Sequence, residues 1–194
     1  MNRKILAVSL AFVFGGALLP AAVRAEKSEN DAKAAEFQAK VHAEVPKVVA
    51  EFRKADPSME RFFKDSAGYA VFPRVGKIGF IVGGGHGGGE VFEKGKLIGT
   101  ASISLGTIGL QAGAQEFREI LFFKDAAALE RFKQNNFEFA ANASAVVVKA
   151  GAGGTADYNA GAAAFAKPIG GAMAEASLGA QKFSFQAASA PAKK

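Results

Sequence analysis

The sequence predicts an α+β protein: a strongly curved antiparallel sheet or partly closed barrel, packed with N-terminal helices and one internal helix. Three observations predict this class. An apolar stripe with helical spacing ends near residue 54, glycines punctuate β-branched and aromatic residues from Ala67 to Phe185, and Asp125 precedes a short helical pattern. Many strand residues are alanine or glycine, which favours close packing and sharp curvature of the sheet.

The first 25 residues have the pattern of a secretory signal peptide. Arg3 and Lys4 provide a positive start, an apolar run follows from Ile5 to Leu19, and Val23 and Ala25 are the small residues that cleavage after Ala25 requires. We therefore expect an exported protein of the periplasm or cell envelope, with peripheral association with a membrane.

Composition limits the classes of function. The chain has no cysteine, which excludes disulfides, thiolate nucleophiles and cysteine-based metal sites. Its net charge of +6 falls to +3 without Arg3, Lys4 and Arg24, because 24 basic residues become 21 against 18 acidic ones. That excess is too small to indicate a nucleic-acid binder, but it is compatible with anionic lipid head groups.

Residues Ser28 to Lys54 are predicted to be helical, with an interruption or kink at Pro46. The apolar stripe consists of Phe37, Val41, Val45, Val48, Val49 and Phe52. Acidic residues alternate with the lysines on the polar face, so packing on the domain core is favoured over binding to a membrane surface. In the membrane alternative the contacts are Lys33, Lys40 and Lys47. Asp56 and Pro57 are predicted to start a short second helix.

From Ala67 the pattern is that of strands separated by turns. The predicted strands are Tyr69–Phe72, Lys77–Gly84, Gly89–Glu93, Lys96–Ser104, Thr107–Phe123, Phe137–Lys149, Ala160–Ala166 and Gly171–Phe185. Turns are expected at Pro73–Gly76 and Lys94–Gly95. Asp125 is predicted to cap a helix that ends near Lys133, and Gly151–Gly154 is predicted to be a loop.

The glycine tract at residues 83–89 has two possible interpretations. Its sequence, GGGHGGG, suggests a phosphate-binding loop, but it lacks a following Gly-Lys-Ser/Thr and leads into a strand. A structural turn or bulge is therefore favoured over an anion site.

The sequence does not predict an enzyme, a cofactor or a metal site. His42 and His86 lie on different predicted elements without a carboxylate at ligand spacing, and no Gly-x-Ser-x-Gly motif is present. Asp157 and Glu175 are isolated acids in surroundings of glycine and alanine. No set of nucleophile, base and orienting group can be assembled from these residues.

Three motifs occur in an order that resembles the SYLF domain. They are AVFPRVGK at residues 70–77, the glycine tract after GFIVGG, and GTIGLQAGAQ at residues 106–115. The resemblance continues through residues 117–133 and 137–154 and covers Met59 to Phe185. It implies a lipid-binding module, which in eukaryotes occurs beside SH3 or FYVE domains and in bacteria as small exported proteins. The expected organisation is signal peptide 1–25, helical segment 26–55, SYLF domain 56–186 and a disordered tail 187–194.

The resemblance implies binding of anionic phospholipids, through phosphatidic acid or phosphoinositide-like head groups, in the bacterial cell envelope. The candidate lipid-binding residues are Arg74, Lys77, Lys94 and Lys96, which flank the two predicted turns, and Lys124. The alternatives are that these turns are merely solvated, that the protein is a structural or interaction protein of the envelope without a lipid, or that it carries a small apolar ligand. The actin link of some eukaryotic relatives is not expected for an exported protein.

Overall fold

A computed structural model describes residues 21–79, 82–108, 113–135, 138–139, 146–170 and 180–188. Residues 37–194 belong to one compact unit and residues 1–36 to another. In the unit of residues 1–36, Lys33 Nζ donates a hydrogen bond to Glu29 Oε1 over 2.7 Å on an exposed helical surface. Most of the predicted signal peptide lies outside the described residues.

Four helices and eight strands are formed by the described residues. The helices are α1 Ala21–Ala55, α2 Glu60–Asp65, α3 Ala126–Lys133 and α4 Ala152–Thr155. The strands are β1 Gly68–Gly79, β2 Val82–Glu93, β3 Lys96–Ile108, β4 Gly113–Phe123, β5 Glu138–Phe139, β6 Val146–Val147, β7 Ala162–Gly170 and β8 Ala180–Ala187. They form one sheet in the order β5-β8-β3-β2-β1-β4-β7-β6, antiparallel except for β6 and β7, so the α+β class is confirmed.

The sheet is strongly curved without being closed. Strands β8 and β4 are four strand spacings apart in the sheet, about 19 Å if it were flat. Nevertheless, Gln181 Nε2 on β8 donates to Glu119 Oε2 on β4 over 2.8 Å. In addition, only residues 140–145 separate Phe139 of one outermost strand from Val146 of the other, which limits the gap between the edges to about 25 Å.

The curved sheet has a separate apolar core on each face. On the concave face, Phe72, Phe117 and Phe183 pack with Leu129 and Phe132 of α3. The other face is covered by α1 and α2, and its buried residues are Val41, Val45, Val48, Phe52, Met59, Phe62, Val71, Ile120, Phe122, Val148, Ala156, Ala163 and Phe165. The apolar stripe of α1 from Val41 onward therefore packs on the domain core, as its charge pattern predicted, whereas Phe37 at its start is exposed.

Two helix starts are confirmed. The Asp125 carboxylate accepts the backbone N–H of Ala128 over 2.8 Å and caps α3. Asp56 accepts the N–H of Ser58 over 3.0 Å, with Pro57 at the first helical position of a 3-10 turn before α2.

The chain around Pro46 and the predicted loop at 151–154 differ from expectation. Helix α1 continues through Pro46. Residues 152–155 form the short helix α4, whose start is held by Asp56: its carboxylate accepts the N–H groups of Gly151 over 3.1 Å and of Gly153 over 2.5 Å. Burial alone would raise the pKa of Asp56, but these bonds and those from Ser58 lower it below its ordinary value.

The predicted turn at Pro73–Gly76 is wrong, because these residues lie inside β1. The register of β1 shifts between Val71 and Arg74, so a bulge accommodates the proline, which has no N–H for the ladder. By contrast, the turn at Lys94–Gly95 is confirmed: it joins β2 to β3 with φ values of 50° and 76°.

The glycine tract is neither a turn nor a loop, since it lies within β2. A Cβ on Gly89 would collide with the Val71 carbonyl oxygen and lie 2.6 Å from the Phe72 ring, so a side chain would separate β2 from the neighbouring strand and its packed phenylalanine. The tract allows the backbones of neighbouring strands to approach closely. Its composition alone could not distinguish this role from that of a bulge.

Two long predicted strands are each divided between distant strands of the sheet. Residues up to Ile108 pair with β2, whereas residues from Gly113 pair with β1. In the segment 137–149, residues 138–139 pair with β8 and residues 146–147 pair with β7, at opposite edges. Strand β7 begins and ends later than predicted, and Ala187 belongs to β8 rather than to the tail. Residues 171–179 of the last predicted strand lie outside the described residues.

Burial raises the pKa of Glu119 to about 8 from 4.5, and the hydrogen bond from Gln181 opposes this only partly. Glu119 Oε1 and Gln181 Oε1 have no hydrogen-bond partner among the described residues. Because the folded state holds the proton above pH 4.5 and the unfolded state releases it, this group's contribution to stability falls as pH rises to about 8.

We therefore expect Glu119→Gln to become progressively more stable relative to the parent protein between pH 5 and pH 8. The amide resembles the protonated acid and can donate to Gln181 Oε1. The relative gain should be on the order of 1 kcal/mol per pH unit, measured by urea unfolding at several pH values. A constant difference between the two proteins across this range would contradict the assignment.

Candidate functional site

The register of the central strands brings three of the predicted lipid-binding lysines to one end of the sheet. Glu93, the last residue of β2, is opposite Lys96 of β3 and Gly68 of β1, and Gly68 is opposite Phe123, the last residue of β4. Lys94 and Lys124 follow these two strand ends directly, and their strands are two spacings apart, about 10 Å.

Exposed side chains at this end combine positive charge with one apolar group. Lys94, Lys96 and Lys124 are exposed, and Leu97 keeps 42% of its surface accessible. We call these four residues the lysine end. None of its lysines forms an ion pair within the described part of the chain, so their charges face solvent.

The neighbouring acids are engaged elsewhere. Lys133 Nζ lies 3.2 Å from Glu93 Oε2 and 2.7 Å from Glu130 Oε1. The hydrogen bond with Glu130 raises the pKa of Lys133 against the effect of burial, so Lys133 remains charged. Asp125 accepts a hydrogen bond from its own helix. The three exposed lysines are therefore not neutralised by the nearest carboxylates.

Arg74 and Lys77 are not part of the lysine end. They lie within β1, opposite Gly88 and Gly85, and Gly85 is eight residues, about 26 Å, from the end of β2. Arg74 Nη1 donates to Glu116 Oε2 over 2.8 Å, and the side chain of Lys77 lies outside the described part of the structure. The prediction that two adjacent turns unite four cations is therefore wrong, because the first of these turns is a strand.

A cleft of about 380 Å³ lies where α1 crosses the outer face of β1 and β2. Its lining residues are Phe37, Lys40, Val41, Glu44, Pro73, Arg74, Gly76, His86, Gly87, Gly88 and Glu116. Phe37 is 48% exposed and its ring lies against Gly88, where a Cβ would be 2.5 Å from the ring. The glycine of β2 thus provides the space that the aromatic ring occupies.

An unpredicted polar contact holds α1 beside this cleft. His42 Nδ1 lies 2.7 Å from Oε1 of Glu90, and the Glu90 side chain is only 5% exposed. The sequence, which has no carboxylate at ligand spacing from either histidine, did not reveal this pair, because the two residues are 48 positions apart and meet only through packing of α1 on β2. Within the described residues, no serine or threonine hydroxyl is hydrogen-bonded to the His42 ring.

Among the described residues, no group of three or more His, Cys, Asp and Glu side chains could hold a metal ion. The described helices also include none with the length and apolarity needed to cross a bilayer.

The motifs at residues 70–77, 83–89 and 106–115 resemble the SYLF domain, and a comparison with known families agrees with that resemblance. The profile of the Ysc84 family, described as "Las17-binding protein actin regulator", matches residues 104–188. Residues 104–188 therefore match the SYLF, or Ysc84, family, as the sequence resemblance predicted. No curated protein matches the chain.

The matched region contains Lys124 and Glu116, whereas Lys94, Lys96 and the parts of the cleft on α1, β1 and β2 precede it. The match to this lipid- and actin-related family is consistent with lipid binding in general. It does not distinguish one class of lipid from another.

Proposed function

We propose that the protein binds anionic phospholipids, with phosphatidic acid or phosphoinositide-like head groups, at a membrane surface through its lysine end. One observation supports this most directly: Leu97 is exposed among three lysines that lack ion-pair partners within the described residues. Lysine ammonium groups attract phosphate as point charges, and Leu97 can enter the boundary between head groups and acyl chains.

Electrostatic attraction between the three lysines and an anionic leaflet is strong enough for reversible association of the protein with the membrane. Each Lys near an anionic leaflet contributes about 1 kcal/mol, so three contribute about 3 kcal/mol, and this attraction fades within a Debye length. Binding should therefore weaken when salt is raised. The alternative, a structural or interaction protein of the envelope without a lipid ligand, predicts no difference between anionic and neutral vesicles.

We propose a binding protein rather than an enzyme. His42 is oriented by a buried carboxylate, but it has no hydroxyl partner in the described part of the chain, so the arrangement of nucleophile, base and orienting group is incomplete.

We also propose that the protein is exported and acts at the envelope, on the basis of the N-terminal pattern of charge and apolarity. N-terminal sequencing of protein recovered from the periplasmic fraction should find Glu26 as the first residue. Full-length protein confined to the cytosolic fraction would contradict this.

We expect replacement of Lys94, Lys96 and Lys124 together by Gln to weaken binding to vesicles that contain phosphatidic acid by at least tenfold. The three side chains are exposed, so the fold should be retained. Vesicle flotation at low and high salt measures the effect, with neutral vesicles as the reference.

A matched control removes the same charge elsewhere. Lys47, Lys149 and Lys182 are also exposed, and their replacement by Gln should reduce binding much less. Equal losses for both triple variants would show that overall charge rather than the lysine end governs binding. Unchanged binding of the first variant would eliminate the lysine end as the lipid contact.

A further inference from the structure

Two pockets adjoin each other on the outer face of the sheet. The cleft of about 380 Å³ described above and a second groove of about 200 Å³ are both lined by Phe37, His86 and Gly88. The Phe37 ring, which is half exposed, lies between them. The larger volume is within the range of about 300–1,000 Å³ that small-molecule sites usually have.

The larger pocket is apolar in its middle and electrically balanced at its rim. Phe37, Val41 and Pro73 line it together with glycines of β1 and β2. Two cations and two acids also line it, and one such pair, Arg74 and Glu116, is joined by a hydrogen bond of 2.8 Å. The pocket therefore offers an apolar surface without a net charge to attract an ionic ligand.

The smaller groove is lined mainly by neutral hydrogen-bonding side chains. They are Gln38, Thr100, Ser102, Ser184 and Gln186. The Ser102 and Ser184 hydroxyls are 3.0 Å apart, so the groove presents both donors and acceptors. Gln38 Oε1 is buried and has no hydrogen-bond partner among the described residues, so one acceptor lacks a donor.

We propose that these adjoining pockets form a binding site for a single amphiphile with an uncharged, hydroxylated head group. The acyl chain occupies the apolar pocket, and head-group hydroxyls occupy the groove, where the Ser102 and Ser184 hydroxyls can donate and accept hydrogen bonds. Gly88 is required because a Cβ there would lie 2.5 Å from the Phe37 ring, which separates the two parts of the site.

This site is distinct from the lysine end. Its residues lie on α1, β1, β2, β3, β4 and β8, whereas the lysine end is formed by the turn after β2, the start of β3 and the residue that follows β4. Capture of one amphiphile in solution does not require a charged membrane. The two proposals can therefore fail separately.

The probe is n-octyl β-D-glucoside below its micelle concentration, titrated into the mature protein and followed by NMR. We expect saturable shifts of the amide signals of Phe37, Gly88, Ser102 and Ser184. Glucose alone and n-octylphosphocholine, which has the same chain and a zwitterionic head group without hydroxyls, should bind at least fivefold more weakly.

Phe37 and Leu97, the two exposed large apolar side chains among the described residues, provide a matched pair of substitutions. Phe37→Ala should weaken octyl glucoside binding at least fivefold, whereas Leu97→Ala at the lysine end should leave it unchanged. Replacement of Ser102 and Ser184 together by Ala should reduce the preference for the glucoside over the phosphocholine. Both serines lie at the surface of the sheet, so these changes test the groove without disturbing the core.

The proposal is overturned if octyl glucoside causes no saturable shifts, or if Phe37→Ala and Leu97→Ala have the same effect. Equal affinity for the glucoside and the phosphocholine would likewise remove the hydroxylated head group from the proposal. The lysine triple variant should bind octyl glucoside like the parent, which separates a failure here from a failure at the membrane surface.

Discussion

The close approach of β2 to its neighbours is the constraint on which this structure depends. Gly89 has the Val71 carbonyl and the Phe72 ring where a side chain would be, and Gly88 has the Phe37 ring on the opposite face. A strand with side chains here would hold β1, its core phenylalanine and α1 further away. The energetic cost is that glycine loses more backbone freedom on folding than any other residue.

The curvature of the sheet and the position of the candidate functional surfaces follow from this packing. The sheet curls far enough for Gln181 to reach Glu119, so a carboxyl group is buried in the concave core. On the outer face, the space above Gly88 admits Phe37 and creates the cleft beneath α1. The register of the same strands places the turn after β2 and the end of β4 at one end of the sheet, where their lysines remain exposed.

Local signals in the sequence predicted the local structure well. Asp125 and the Asp56-Pro57 pair mark helix starts because a cap needs only neighbouring backbone N–H groups. The Lys94-Gly95 turn is similarly local. Pro73 was misleading, since proline and glycine indicate a turn or a bulge equally well, and only pairing with β2 and β4 decides between them.

The candidate sites were only partly predictable for the same reason. Lys94, Lys96 and Lys124 were selected by charge, but their separation from Arg74 depends on strand register. His42 and Glu90 are 48 residues apart, and no spacing rule connects a helix residue to a strand residue at that distance.

Gly88 and Gly89 of β2 are required for close approach rather than for flexibility, and substitutions at two glycines in paired strands test this directly. Gly89→Ala should lower the free energy of unfolding by more than 2 kcal/mol, because its Cβ meets the Val71 carbonyl and the Phe72 ring. Gly106→Ala in β3, where a Cβ meets no described atom within 4 Å, should be neutral or slightly stabilising. Urea unfolding of both variants measures the difference. Equal effects of the two substitutions would contradict this account of the fold.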